Sequence, residues 1–389
     1  MLNDSRLHIT GVGARGMRRW ETVDWGSLPI VLGLIGIWLI FWLANDKFLS
    51  PLNLTNLMLQ IAAPGTLATG IFLALLLGEI DLSVGVVSGL CAAVMAVLNV
   101  KAGVPGPLAV LAGVLVGTGI GLFQGVWVTR LRIPSFIVTL AGMIGWQGAL
   151  LWVLGSTGTI NLRDAFITGI AGTFFKDAWI GLATGAALVA GYAAVVFLDR
   201  RRRLAANLPA LSARWLLGRV ALIVAIVAGA LLVFYADRGL PLAVVIFAGL
   251  VILIDWLTRR TVYGRHIYAV GGRAESARRA GIQIDRVRIS VFALASTIAA
   301  IAGVLAASRL LAVNQSSGSS DFLRLFRLQR ENARRGDAEA AEHWENSARS
   351  ASRRFLRSVP SKPGGPENRK VAQPGCGKAY ATACSSVSA

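Results

Sequence analysis

Two carboxylates and a hydroxyl, separated by single residues, interrupt an otherwise apolar stretch of the sequence. Residues 78–85 read Gly-Glu-Ile-Asp-Leu-Ser-Val-Gly and contain Glu79, Asp81 and Ser83. A carboxylate at membrane depth costs about 2.5–3.5 kcal/mol on insertion scales, so it needs a partner, a water-filled cavity or an interfacial position. The three groups could line a substrate pathway at a broken helix. The sequence leaves open an alternative, a short cytoplasmic turn between two spans that Asp81 and Ser83 cap.

The second candidate site is a polar loop at residues 259–288. Its central part, 274–280, contains good helix formers with alanines at three-residue spacing, and Gly281 is a natural stop. A short helix with a face of small residues could seat in a groove of a partner and transmit a rigid-body motion, although a solvated loop helix would look the same. The residues predicted to form this coupling element are Gly271, Gly272, Ala274, Glu275, Ala277, Arg278, Ala280 and Gly281.

A third pattern concerns helix packing. Glycines recur every four residues in one apolar run, at Gly113, Gly117, Gly121 and Gly125. This spacing forms a flat ridge along one face of a helix, and small residues let another helix approach closely in a membrane. We therefore predict tight helix packing here, without ligand contact.

The composition indicates the elements that must position these residues. Hydrophobic residues make up 55% of the chain and charged residues 15%, against about 25% charged in soluble domains. Long uncharged runs must be helical if they cross a bilayer, because barrel strands alternate apolar and polar residues and these runs do not. We predict an all-α, polytopic transmembrane helical bundle. Its nine spans are 28–44, 57–77, 84–100, 107–129, 134–154, 178–198, 215–235, 240–258 and 289–311.

The basic residues predict the orientation of the bundle. Even numbers of spans separate the N-terminal arginines from the clusters at 130–132, 200–203 and 259–265. One topology therefore places every cluster, and the N-terminus, in the cytoplasm. The net charge of +19 does not indicate nucleic-acid binding, because these residues lie between apolar runs instead of forming a basic face. The cysteines and histidines have no metal-site or catalytic spacing, so we expect neither a metal nor an enzyme.

Three segments together resemble the permease subunits of bacterial sugar ABC importers of the ribose/xylose/arabinose group. They are residues 78–85, the stretch Ile-Pro-Ser-Phe-Ile-Val-Thr-Leu-Ala-Gly-Met at 133–143, and the loop at 263–282. The stretch near 155–177 and the basic insert at 199–214 are most similar to D-xylose permeases. The resemblance covers about residues 28–313 and implies the permease role in the inner membrane, with a monosaccharide, D-xylose, as the expected substrate.

The resemblance also implies partners. Permeases of this group form a homodimer or pseudo-dimer and work with a separate ABC ATPase subunit and a periplasmic sugar-binding protein. The chain has no Gly-x-x-x-x-Gly-Lys-Ser/Thr phosphate loop, so ATP and magnesium are expected on the ATPase, with no cofactor in this chain. The alternative function is an ion-gradient-driven secondary transporter, for which only Glu79 and Asp81 could bind the coupling ion.

The character of the sequence changes near residue 314. Residues 314–389 lack long apolar runs and are rich in small and charged residues, which is typical of a disordered segment. The resembled family continues here with an apolar region and at least one further span. We therefore expect a cytoplasmic segment at 1–27, a permease domain at 28–313, and a tail that arises from a shifted reading frame near residue 316 or is a divergent terminus.

Overall fold

The computed structural model describes residues 28–206 and 212–318, which fall within one compact unit. The predicted N-terminal segment 1–27 and most of the predicted tail lie outside these residues. Within the described ranges the chain forms helices at Leu28–Ala44 (α1), Pro51–Leu76 (α2), Val84–Val100 (α3), Gly106–Arg130 (α4), Ser135–Leu154 (α5), Ala165–Gly172 (α6), Ala178–Ala205 (α7), Ala213–Asp237 (α8), Leu242–Arg260 (α9), Val262–Gly272 (α10), Ala274–Arg279 (α11) and Ile284–Leu310 (α12).

Each of the nine predicted spans coincides with one of these helices, and the predicted all-α class is confirmed. In the part of the chain that the structure describes, seven helices are long and apolar enough to cross a membrane, and α1 and α3 are shorter apolar helices. Three boundaries were predicted wrongly by five residues or more. Helix α7 ends at Ala205, seven residues later than predicted, because it continues through a run of arginines that hydropathy alone excludes. Helix α2 begins at Pro51, six residues early, because Ser50 Oγ accepts the amide of Asn53 and caps it. Helix α12 begins at Ile284, five residues before the predicted start. The prediction missed its first turns because they carry charged residues, which hydropathy alone excludes from a span.

Helix α12 lies at the centre of the bundle, and 67% of its most apolar 18-residue segment is buried. It packs against α4, α2 and α3, which supply the other walls of the main core. Helices α7 and α8 pack mainly against each other, and only 11% and 6% of the corresponding segments are buried. The centre of the bundle is therefore α2–α3–α4–α12, and the α7–α8 pair lies at its edge, where its apolar surface is open to lipid.

Four short strands cap the end of the bundle that the topology predicts to be external. Strand β1 (Thr159–Asn161) pairs antiparallel with β4 (Ala312–Asn314), and β2 (Phe174–Phe175) pairs with β3 (Leu240–Pro241). The first pairing joins the ends of α5 and α12, and the second joins the start of α7 to the end of α8. The strands are only two or three residues long, so the fold remains a helical bundle.

Candidate functional site

The segment 78–83 forms a turn between α2 and α3, and an ion pair holds it against α12. Helix α2 ends at Leu76, and Gly78 adopts a positive φ of 74° that reverses the chain. The carboxylate of Glu79 then lies 3.1 Å from Nε of Arg288, with side-chain exposures of 13% and 30%, although the two groups are not aligned as a hydrogen bond. Glu79 therefore joins the start of α3 to the first turns of α12.

Asp81 is buried in the same turn and connects α3 to α4. Its Oδ1 accepts hydrogen bonds from the amide and hydroxyl of Ser83, at 2.9 and 2.7 Å. The hydroxyl of Ser83 in turn accepts one from Nε2 of Gln124, at 2.9 Å. Oδ2 of Asp81 is buried with no hydrogen-bond partner. Burial raises the pKa of Asp81, and the hydrogen bonds from Ser83 oppose this effect.

The turn also contacts the start of α5. The amide of Ile80 donates to Oγ of Ser135 at 3.3 Å, and Oγ1 of Thr139 donates to the carbonyl of Ile80 at 3.2 Å. Both carboxylates thus lie between helices, at the end where α4 ends and α5 begins. Residues 78–83 thus form a turn between α2 and α3 in which Asp81 accepts two hydrogen bonds from Ser83. Ser83 is the N-cap residue of α3, but its side chain makes no capping hydrogen bond and instead donates to Asp81.

The predicted coupling element is helical over most of its length, but the middle alanine of the predicted face, Ala277, points inward. Helix α11 spans Ala274–Arg279, and Gly281 follows with a φ of +82°. Ala277 is only 4% exposed and packs with Leu77, Ile267 and Val287 of the same chain. The prediction that Ala277 forms part of a docking face is therefore wrong, because the chain's own apolar side chains already cover it. Of the other residues predicted to form this element, Gly272, Glu275, Arg278, Ala280 and Gly281 are exposed, while Gly271 and Ala274 are half-buried.

Helix α10, which the sequence analysis did not predict, joins this loop to α2. Thr261 Oγ1 accepts the amide of Gly264 at 3.1 Å and starts the helix. Near its end, Gly271 lies against the carbonyl of Leu76 so closely that a Cβ atom there would overlap the α2 backbone. The α10–α11 loop is thus packed directly on the end of α2 that leads into the Glu79–Asp81 turn.

The glycine ridge of α4 lies along α12 and α3. A Cβ at Gly117 would lie 2.7 Å from Cβ of Ala300, and one at Gly125 would lie 2.9 Å from Cα of Ile289. At Gly113 the nearest atom is the carbonyl oxygen of Cys91, 2.8 Å away, and at Gly121 it is the carbonyl oxygen of Phe292. All four glycines therefore lie at close helix contacts, as the packing interpretation requires.

The structure brings together further polar residues that the sequence analysis missed. Gln124 was detectable as a polar residue inside an apolar run, and Arg288 as a charge just before the last predicted span. On the predicted external side, a cleft of about 700 Å³ is lined by Asn99, Lys101 and Arg163, among others. Within residues 28–206 and 212–318, no group of His, Cys, Asp or Glu side chains is placed to hold a metal ion.

Comparison with known proteins supports a permease. Residues 53–324 match the family described as "Branched-chain amino acid transport system / permease component", so the match extends beyond residue 313. The xylose transport system permease protein XylH of Escherichia coli K12 is 36% identical over 82% of this chain and 80% of its own length. The corresponding protein of Haemophilus influenzae is 34% identical over 76% and 79%. The ribose import permease protein RbsC of Bacillus subtilis is 28% identical over 74% and 70%.

No solved structure matches the chain. The family match covers most of the sequence, the relatives are transport permeases, and seven helices within the described ranges are apolar and long enough to span a membrane. These findings agree with the resemblance seen in the sequence and support a multi-pass protein of the inner membrane. The chain belongs to the ABC-transporter permease family, among whose members it is similar to the sugar permeases.

Proposed function

We propose that the chain is the membrane-spanning subunit of an importer for a monosaccharide, with D-xylose as the substrate. The observation that carries this proposal is the identity of 36% to a xylose transport permease over 82% of the chain. The fold supports it, since a bundle with tightly packed central helices and a structured loop at one end suits a pathway that another subunit drives. The energy for transport would come from ATP and magnesium bound to a separate ATPase.

The α10–α11 loop is the part of the chain proposed to meet that ATPase. Its exposed side chains Glu275, Arg278 and Ala280 face away from the bundle, whereas Ala277 anchors the loop to the helix ends. A partner that engages the exposed side would push on a loop that is already fixed to α2 and α12. The sugar-binding protein would dock at the opposite end, where the short strands lie, and a second copy of this chain would complete the pathway.

The test of this proposal is transport in proteoliposomes that contain the chain, its ATPase and its sugar-binding protein. We expect ATP-dependent uptake of D-xylose and no uptake of leucine. Leucine is a branched-chain amino acid, the substrate class that the family description names. Leucine uptake without xylose uptake would refute the sugar assignment. Uptake of xylose without ATP, driven by an ion gradient, would instead favour a secondary transporter.

Coupling is tested with one variant of α11 and one control variant elsewhere in the chain. Arg278→Glu reverses an exposed charge and should reduce xylose-stimulated ATP hydrolysis and co-purification of the ATPase, while the chain folds normally. The matched control is Arg163→Glu, an exposed charge reversal at the opposite end of the bundle, which should leave ATPase co-purification unchanged. If Arg278→Glu and the control behave alike, the exposed face of α11 is not the coupling surface.

A reporter fused after Arg203 should give a cytoplasmic signal if the proposed orientation is right.

A further inference from the structure

The α7–α8 pair carries a dense group of arginines at one end. Arg201 and Arg203 lie in the last turns of α7, and Arg214 and Arg219 lie in the first turns of α8, all with exposed side chains. We call these four residues the α7–α8 arginine patch. No aspartate or glutamate occurs between residues 200 and 236. Asp199 directly precedes the arginines in α7, and the next acidic residue along the chain is Asp237, so the patch carries a net positive charge.

The antiparallel packing of α7 and α8 brings the patch to one level of the bundle. Gly185 of α7 lies against Val227 and Leu231 of α8, so each step forward along α7 is matched by one step back along α8. This register places Arg201 level with the first turn of α8 and Val195 level with Arg219. The carbonyl of Val195 also accepts a hydrogen bond from Arg260 of α9, at 3.5 Å. The basic ends of three helices are therefore neighbours.

Lipid-facing apolar side chains surround the patch. Trp215 is 64% exposed, Leu217 is 58% exposed, and Trp256 of α9 is 53% exposed. Tryptophan is enriched where a protein crosses the level of the lipid headgroups. Arg219 lies six residues, about 9 Å, into α8, within reach of that level because arginine side chains extend toward the interface. The patch thus combines phosphate-binding groups with a surface that acyl chains can cover.

Among the described residues, no ion pair involves the four arginines of the patch, whereas other arginines of the bundle are paired with carboxylates. Arg259 lies 2.6 Å from Asp255, and Arg288 is paired with Glu79. Arginine is well suited to phosphate because its planar guanidinium can donate two parallel hydrogen bonds. We infer that the α7–α8 arginine patch binds the headgroups of anionic phospholipids in the leaflet that surrounds this end of the bundle. This inference depends on membrane insertion and not on the proposed transport function.

The experiment uses the purified full chain in a neutral detergent, titrated with phosphatidylglycerol or phosphatidylcholine, with the unfolding temperature as readout. Phosphatidylglycerol should raise the unfolding temperature and phosphatidylcholine should not. In Arg214→Gln/Arg219→Gln, the phosphatidylglycerol concentration needed for half of the effect should rise at least roughly tenfold, since each basic residue near an anionic surface contributes to binding. The control Arg265→Gln/Arg273→Gln removes the same charge from exposed positions of the loop and should bind as the unchanged chain does.

Two results would overturn the inference. One is equal stabilisation of the patch variant and the control by phosphatidylglycerol, and the other is full stabilisation by inorganic phosphate alone, which would show that a free anion is the ligand. If the double variant does not fold, Arg214→Gln and Arg219→Gln are titrated separately, and unchanged midpoints in both would be equally decisive. Arg214→Lys/Arg219→Lys should retain more affinity than the glutamine variant, because it keeps the charge and loses only the bidentate geometry.

Discussion

Replacing one glycine of the α4 ridge with alanine should separate α4 from α12. At Gly121 the added Cβ would meet the carbonyl oxygen of Phe292 and would lie 2.8 Å from both Cα of Ala293 and Cβ of Ser296. Two of these three atoms belong to the backbone, so no side-chain rotation can relieve the overlap. Overpacking of this kind costs about 1–3 kcal/mol. We therefore expect Gly121→Ala to lower the free energy of unfolding.

Gly119→Ala provides the matched control on the same helix. No atom lies within 4 Å of a Cβ built at Gly119, so the methyl group would project into open space. Both variants gain the same helix propensity, about 1 kcal/mol for alanine over glycine. The difference between the two unfolding free energies therefore isolates the packing term, and we expect it to be about 1–3 kcal/mol.

Cys91 provides the assay for this pair of variants. It is buried on α3, and its sulfur would lie 3.1 Å from a Cβ at Gly117. The substitutions Cys376→Ser and Cys384→Ser leave Cys91 as the single remaining cysteine of the three in the sequence. A thiol-reactive dye then reports the exposure of Cys91 on heating. Gly121→Ala should label at a lower temperature than Gly119→Ala. Identical labelling curves would refute the claim that the ridge sets the distance between α4 and α12.

Two further predictions concern the turn between α2 and α3. Asp81→Ala should destabilise the chain by about 1–3 kcal/mol because it removes the acceptor for the Ser83 amide and hydroxyl, whereas Asp81→Asn keeps an acceptor and should be tolerated; equal thermal stabilities of the two variants would contradict this. Glu79→Gln and Arg288→Gln should show a coupling free energy of about 1 kcal/mol in a double-mutant cycle of thermal unfolding, and strictly additive effects would mean that the 3.1 Å ion pair contributes nothing.

Local sequence patterns were sufficient for the spans because each long apolar run can satisfy its backbone hydrogen bonds only as a helix. They were insufficient where pairing is remote. Arg288 finds Glu79 from more than two hundred residues away, and Gln124 finds Ser83 on another helix. The type of each residue suggested that it needed a partner, but only the folded chain shows which residue supplies it.

The error at Ala277 has a physical origin of the same kind. Alanines at three-residue spacing predict a helix face that approaches another surface closely, and Ala277 does lie against such a surface. A sequence cannot show whether that surface belongs to another protein or to the same chain. Here it belongs to the same chain, because Leu77, Val270 and Ile284 surround Ala277 in one apolar cluster. The exposed neighbours of Ala277 are then the residues left for a partner.

This arrangement restricts how a force on the loop could reach the centre of the bundle. The cluster around Ala277 contains the end of α2 and the start of α12, and Gly271 leaves no gap between α10 and Leu76. A displacement of α11 must therefore move both helix ends with it, because close-packed contacts transmit strain. The end of α2 continues directly into the turn between α2 and α3. In that turn Glu79 is paired with Arg288 of α12, and Asp81 accepts hydrogen bonds from Ser83 at the start of α3. In the proposed importer, the carboxylates would act at this junction, by holding α3 to the helices that the loop displaces, and not by binding the sugar.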